Sequence, residues 1–174
     1  MVTRGVYRSS FLFLTMKKLL LVRHAKASHD TGYSDFERPL KTIGIQDAEM
    51  MADRLHAGKS IPQVLVTSPS LRTLTTANIF AEHLSLPEPT PIANIYEAGT
   101  KTLLNIINEL PDKYEFIGLV GHNPAVSDIL NYLTGQVNDM PPGAFAVLEF
   151  EFDSWKMVSE FTGKLTWFST PKTE

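Results

Sequence analysis

Two imidazoles and two guanidinium groups stand at, or just past, the ends of short apolar runs. Arg23 and His24 close "LLLV". Ser68 and Pro69 follow "VLVT", and Arg72 comes one turn later. Glu97 follows the extended stretch "PTPIANIY", and Gly121, His122 and Asn123 follow "FIGLV". The chemistry available to such a set is phosphoryl transfer. Arginine offers a fork of donors to phosphoryl oxygens. One imidazole can attack phosphorus and carry the group covalently, which splits the transfer into two steps. The second can bond a phosphoryl oxygen or move a proton, while nearby guanidinium charge keeps the nucleophile neutral.

Taken singly, each residue has an ordinary explanation. An arginine at a strand end is usually a solvated charge. A histidine after an apolar run is often a hydrogen-bonded rim residue, and Arg72 alone could be an exposed helix residue. "GHNP" alone reads as a tight strand-to-helix turn. The case therefore rests on the elements that must bring these residues together.

"KKLLLV" is a continuous apolar run bounded by charge, as in a strand covered on both faces. Residues 29–41 form a polar loop with Gly32 and Pro39. A helix follows, with Thr42 able to cap it, Ile45, Ala48, Ala52 and Leu55 on its inner face, and Gly58 able to end it. "PQVLVTS" is a second strand. The helix after it has Pro69 in its first turn and Leu74, Ala77, Ala81 and Leu84 inward. "PTPIANIYEAG" is a third extended segment, and a helix with Leu103, Ile106, Ile107 and Leu110 inward comes next. "YEFIGLVGHN" is a fourth strand, after which Asn123 caps and Pro124 opens a helix that buries Val126, Ile129, Leu130 and Leu133. "AFAVLEFEF" and "KMVSEFTGKLTWFS" read as a final pair of strands. Alternating strands and helices predict a three-layer α/β/α sandwich. Its sheet has about six strands, mostly parallel with an antiparallel edge. In such sheets ligands bind beyond the carboxyl ends of the strands, and the four polar groups share that edge.

The ordered motifs "LVRHAKAS", "SPSLRTLTTA" and "LVGHNP" resemble the histidine phosphatase superfamily. "RPLKTIG" before a helix, Ala25 after the Arg-His pair, and the short length resemble its bacterial phosphohistidine phosphatase branch, the SixA type. The resemblance runs from about Lys17 to the "FAVLEF" strand. It implies a phosphoglycerate mutase-like fold and a metal-independent hydrolase that needs no cofactor. It also implies that His24 is the phosphorylated nucleophile, that Arg23 and Arg72 bind phosphoryl oxygens, and that His122 is the second pocket histidine.

The expected activity is removal of a phosphoryl group from a histidine on a partner protein. Phosphohistidine releases neutral imidazole and needs little acid help, whereas an ester releases an alkoxide and normally needs a proton donor. Glu97 is the candidate donor. With it, the same nucleophile would serve a small-molecule phosphomonoesterase. A non-catalytic phosphate-binding module is a further alternative. Lys26, Ser28, Arg38 and Asn123 are candidate substrate contacts, and Arg38 can instead brace its loop through Asp35 or Glu37. His29 lies near the pocket, whereas His56 and His83 fall on helices.

The totals narrow the field further. A net charge of −3 and a pI near 5.9 argue against nucleic acid as a partner. No apolar run reaches the roughly 20 residues of a membrane helix, so no membrane association is expected. The chain lacks cysteine and needs no oxidising compartment, so a cytoplasmic location is expected. No histidine or carboxylate spacing suits a metal. "MKKLLLVRH" reads as a natural start at Met16, with residues 1–15 an extension whose "FLFL" core is too short for a signal peptide. The 174 residues then hold one domain from 16 to 174.

Overall fold

In the first strand, β1 (Lys17–Arg23), Leu19 and Leu21 point to one face of a sheet, and Leu20 and Val22 point to the other. This period-two alternation needs apolar cover on both sides. The computed structural model describes residues 16–172; the expected extension over residues 1–15 lies outside them. The elements after β1 are α1 (Thr42–Ala57), β2 (Val64–Thr67), α2 (Leu71–His83), β3 (Thr90–Pro91) and α3 (Thr100–Asn108). They continue with β4 (Phe116–Gly121), α4 (Ala125–Thr134), β5 (Phe145–Phe150) and β6 (Lys164–Ser169). The strands form one six-stranded sheet in the order β3-β2-β4-β1-β5-β6.

Parallel pairing joins β3, β2, β4 and β1, while β5 runs antiparallel to β1 and β6 antiparallel to β5. One core holds Leu20, Val22 and the inner faces of α1 and α2. The other holds Leu19, Leu21, Trp155 and the inner faces of α3 and α4. The expected α/β/α sandwich with an antiparallel edge is therefore the observed fold. Among the described residues, no helix is long and apolar enough to cross a membrane.

Several local expectations need correction. The buried face of α1 is Gly44, Ala48, Met51, Ala52 and Leu55, and Ile45 is exposed. The reason is Gly44: a Cβ there would lie 2.2 Å from the Lys26 carbonyl oxygen, so only glycine lets the helix start pack against the segment after His24. In α2 the buried residues include Arg72, Thr73, Thr76 and Phe80, with Leu74 only partly buried. Polar residues take core-facing positions because they serve the strand ends. Ser70 holds the N-cap position and Pro69 precedes the helix. The third strand is two residues long and gives way to a short 3-10 turn at Ala93–Ile95. Residues 155–157 also form a 3-10 turn, so the last strand begins only at Lys164. Pro124 holds the N-cap position of α4, and Asn123 does not cap it through its side chain.

Candidate active site

Register places the two imidazoles. Arg23 on β1 is paired with Gly121 on β4, so the next residues, His24 and His122, leave neighbouring parallel strands side by side. The His24 amide bonds the Gly121 carbonyl at 3.1 Å, and the Ser68 amide bonds the Val120 carbonyl at 3.1 Å. Three strand ends are thereby stitched together. The imidazole centroids of His24 and His122 are 5.3 Å apart and tilted by 60°. Arg72 reaches the same edge from the first turn of α2 and is 5% exposed. Arg23 donates from Nη1 to the Met140 carbonyl at 2.8 Å. Burial lowers its pKa, and Asp139 opposes that shift.

The protonation of His24 follows from its partner. Nδ1 lies 2.8 Å from the Ala25 carbonyl oxygen, which can only accept. Nδ1 therefore carries the proton, and in the neutral ring Nε2 keeps the lone pair. Burial pushes its pKa down to about 4; the Ala25 bond opposes this, and the Arg72 and Arg23 charges add smaller downward pushes. His122 is pushed down to about 3, first by burial and then by His24 and Arg72. Its Nε2 lies 2.8 Å from Ser68 Oγ, and its Nδ1 is buried without a protein partner among the described residues. The Nε atoms of Arg23 and Arg72 are likewise buried and unpartnered. The Ala25 amide donates to Thr76 Oγ1 at 3.1 Å, which ties the residue after His24 to α2.

The loop over residues 29–41 closes one side. Ala27 pairs with Leu40, and the Lys41 amide bonds the Lys26 carbonyl at 2.9 Å. From this loop Asp35 meets both Arg38, at 3.0 Å, and Arg72, at 3.1 Å. Tyr96 donates its hydroxyl to Asp35 Oδ2 at 2.7 Å and stands edge-on to His122, with centroids 5.7 Å apart. The Tyr96 bond and then Arg72 hold the Asp35 carboxyl at a pKa of about 2, and the same bond raises Tyr96.

A cavity of about 370 Å³ results, lined by Arg23, His24, Arg72 and His122 together with Lys26, His29, Asp35, Arg38 and Asn123. The sequence-level quartet is thus brought together. Lys26, Arg38 and Asn123 also reach the cavity; Asn123 Nδ2 is anchored on Asp139 and on the Met140 carbonyl, each at 3.0 Å. Two expected residues do not line it. Ser28 is buried and donates to Asp30 at 2.6 Å, so it braces the loop. Glu97 is exposed and lies outside the lining, because the 3-10 turn sends Tyr96 toward the site instead. Among the described residues, no three His, Cys, Asp or Glu side chains are grouped as metal ligands.

Comparison with known proteins agrees with this arrangement. Residues 19–97 match the histidine phosphatase superfamily (branch 1). A candidate phosphohistidine phosphatase SixA from Agrobacterium tumefaciens is 25% identical, with a TM-score of 0.77 over 89% of this chain and 98% of that one. Over residues 19–97 the chain is thus similar to the histidine phosphatase superfamily. The protein histidine phosphatase SixA complexed with tungstate shares the fold at 23% identity, with a TM-score of 0.73 over 88% of this chain and 97% of that one. An uncharacterized protein of Mycobacterium tuberculosis is 30% identical over 107 residues, which are 61% of this chain and 65% of that relative's length. The chain thus spans less than two thirds of the mycobacterial relative it matches.

Sequence reasoning placed Ser68 at this edge but missed its bond to His122, missed Thr76 and Tyr96 as neighbours of the site, and saw Asp35 only as a partner for Arg38. The spacing of Asp35 and Arg38 showed that pair. Nothing local signals that Asp35 also meets Arg72, which lies 37 positions away. The polar core-facing positions of α2 were the one available hint, since Arg72, Thr73 and Thr76 interrupt an otherwise apolar face.

Proposed function

We propose that the chain is a phosphatase that removes a phosphoryl group from a protein histidine through a covalent intermediate on His24. The observation that carries this reading is the His24 imidazole, fixed by Ala25 with Nε2 as the free nitrogen and held neutral beside two arginines. A neutral imidazole with a defined lone pair is a competent nucleophile at ordinary pH.

In the first step the Nε2 lone pair attacks phosphorus and the P–N bond of the substrate breaks. The substrate imidazole leaves with the bonding electrons, already protonated on its other nitrogen, and is neutral. The His24 ring gains positive charge, which the Ala25 carbonyl stabilises by accepting from Nδ1–H. Arg23, Arg72 and His122 supply donors to the phosphoryl oxygens. In the second step water attacks phosphorus, the Nε2–P bond breaks, and its electrons return to Nε2. The protons of the water remain on the departing phosphate, and Nδ1 keeps its proton throughout. No metal or cofactor is required by this sequence.

The substrate class follows from the acids at hand. Asp35 is the carboxylate in the cavity lining, and its low pKa keeps it ionised, so it is a poor proton donor. Glu97 faces away. A leaving group that departs as neutral imidazole suits such a site better than an alkoxide. Lys26, His29 and Asp35 are exposed at the rim, which suits access by a protein-borne group.

The experiment compares a phosphohistidine-bearing protein with phosphate monoesters, using wild type, His24→Ala and Glu97→Gln. The expected result is turnover of the phosphohistidine substrate, lost in His24→Ala and retained in Glu97→Gln. Faster ester turnover that disappears in Glu97→Gln would contradict the substrate assignment. Phosphate binding without turnover of either substrate would make the protein a binding module.

A further inference from the structure

The geometry points to Asp35 as a positioning residue that holds Arg72 for the phosphoryl group, an inference that rests on the cavity being a phosphoryl site. A carboxylate is an unexpected occupant of an anion pocket, because its charge subtracts from the attraction the arginines exert. Asp35 nevertheless gathers donors from three places. Its backbone carbonyl accepts from Arg72 Nη1. Its Oδ2 accepts from Arg72 Nη2 at 3.1 Å and from the Tyr96 hydroxyl at 2.7 Å. Its Oδ1 accepts from Arg38 Nε at 3.1 Å.

The consequence for Arg72 is specific. A guanidinium has five N–H bonds in one plane. Asp35 takes donors from the two Nη atoms, and Arg72 Nε remains buried and unpartnered. One end of the fork is clamped, and the plane of the group is set. Arg72 is itself 6% exposed at the side chain, whereas Asp35 is 58% exposed. The clamp is therefore part of the surface loop, and it couples the loop at residues 29–41 to the buried cation. Tyr96 donates to the same carboxylate oxygen as Arg72 Nη2 while also packing against His122.

Two roles for this carboxylate give opposite signs. A competing anion lowers the affinity of the pocket, so its removal tightens phosphate binding. A positioning group raises the affinity, so its removal weakens binding. The test is calorimetric titration of inorganic phosphate into the whole chain for wild type, Asp35→Ala, Asp35→Asn and Asp35→Glu. Thermal unfolding of each serves as the folding control. We expect about tenfold weaker binding in Asp35→Ala and Asp35→Asn, as for a misaligned binding group, with part of the loss recovered in Asp35→Glu. Unchanged or tighter binding in folded Asp35→Ala or Asp35→Asn overturns the proposal. Should Asp35→Ala fail to fold, the near-isosteric Asp35→Asn decides. A wild type that binds no phosphate overturns this proposal and the phosphoryl reading together. The expected binding pattern alongside undiminished turnover in His24→Ala removes only the covalent mechanism.

Discussion

His24 and His122 occupy equivalent places one residue beyond the paired ends of adjacent parallel strands, with ring centroids 5.3 Å apart. Backbone register, more than any side-chain contact, makes them neighbours. The two rings are differently held. His24 is fixed through Nδ1 by a carbonyl and His122 through Nε2 by a serine hydroxyl. Unlike anchors on like residues suit different tasks, with attack assigned to one and oxygen binding to the other.

The acid limb of activity should lie well below the ordinary histidine range. Protonation of His24 removes the lone pair, and its pKa is pushed down to about 4. A kcat/KM profile is expected to stay level from neutral pH down to about 5 and to fall near 4. A limb near the ordinary value of 6.5 would contradict the burial argument.

Stability should change with pH in the same region. In the unfolded chain both histidines bind protons near pH 6.5, but in the folded protein they do so only near pH 4 for His24 and pH 3 for His122. Between those limits the unfolded state holds more protons. Stability therefore rises with pH across this window and is lost as pH falls from about 6.5 toward 3. Tm measured across the window should fall on acidification, and His122→Gln should flatten the slope.

Arg72 should tolerate no substitute, lysine included. Its two Nη atoms are committed to Asp35, and a lysine cannot reproduce a planar fork. Arg72→Lys and Arg72→Ala are each expected to lower kcat/KM by about a hundredfold or more. Near wild-type turnover in Arg72→Lys would show that point charge alone suffices.

Gly44→Ala should damage the site from a distance. The added Cβ would stand 2.2 Å from the Lys26 carbonyl oxygen, so either α1 or the segment after His24 must move. We expect a loss of about 1–3 kcal/mol in denaturant titration, typical of overpacking. Turnover should fall as well. An unchanged midpoint would mean that the contact relaxes freely.

Much of this was legible beforehand because strand and helix periods are local signals. The continuous apolar run Leu19–Val22 and the inner stripe of Val126, Ile129, Leu130 and Leu133 both predict the observed burial, the run on both faces of its strand. On α2 the expected Ala77, Ala81 and Leu84 are buried, but Arg72, Thr73 and Thr76 share that burial although they are polar, a reversal that only their partners explain. Glu97 was placed at the edge by its position after an apolar segment. A two-residue strand and a 3-10 turn then shift the phase, so Tyr96 faces the site in its stead. The Asp35–Arg72 pair was invisible because a contact between a loop and a helix so far apart leaves no trace in spacing.

The central claim is that His24 carries the phosphoryl group. Rapid mixing with a phosphohistidine-bearing protein, followed by quenching in base and peptide mapping by mass spectrometry, tests it most directly. Phosphate on the peptide containing His24, with Nε2 as its site, is the predicted result. Labelling should be absent in His24→Ala and should decay as free phosphate appears. Turnover by the wild type with no phosphate ever found on His24, or undiminished turnover by His24→Ala, would contradict it.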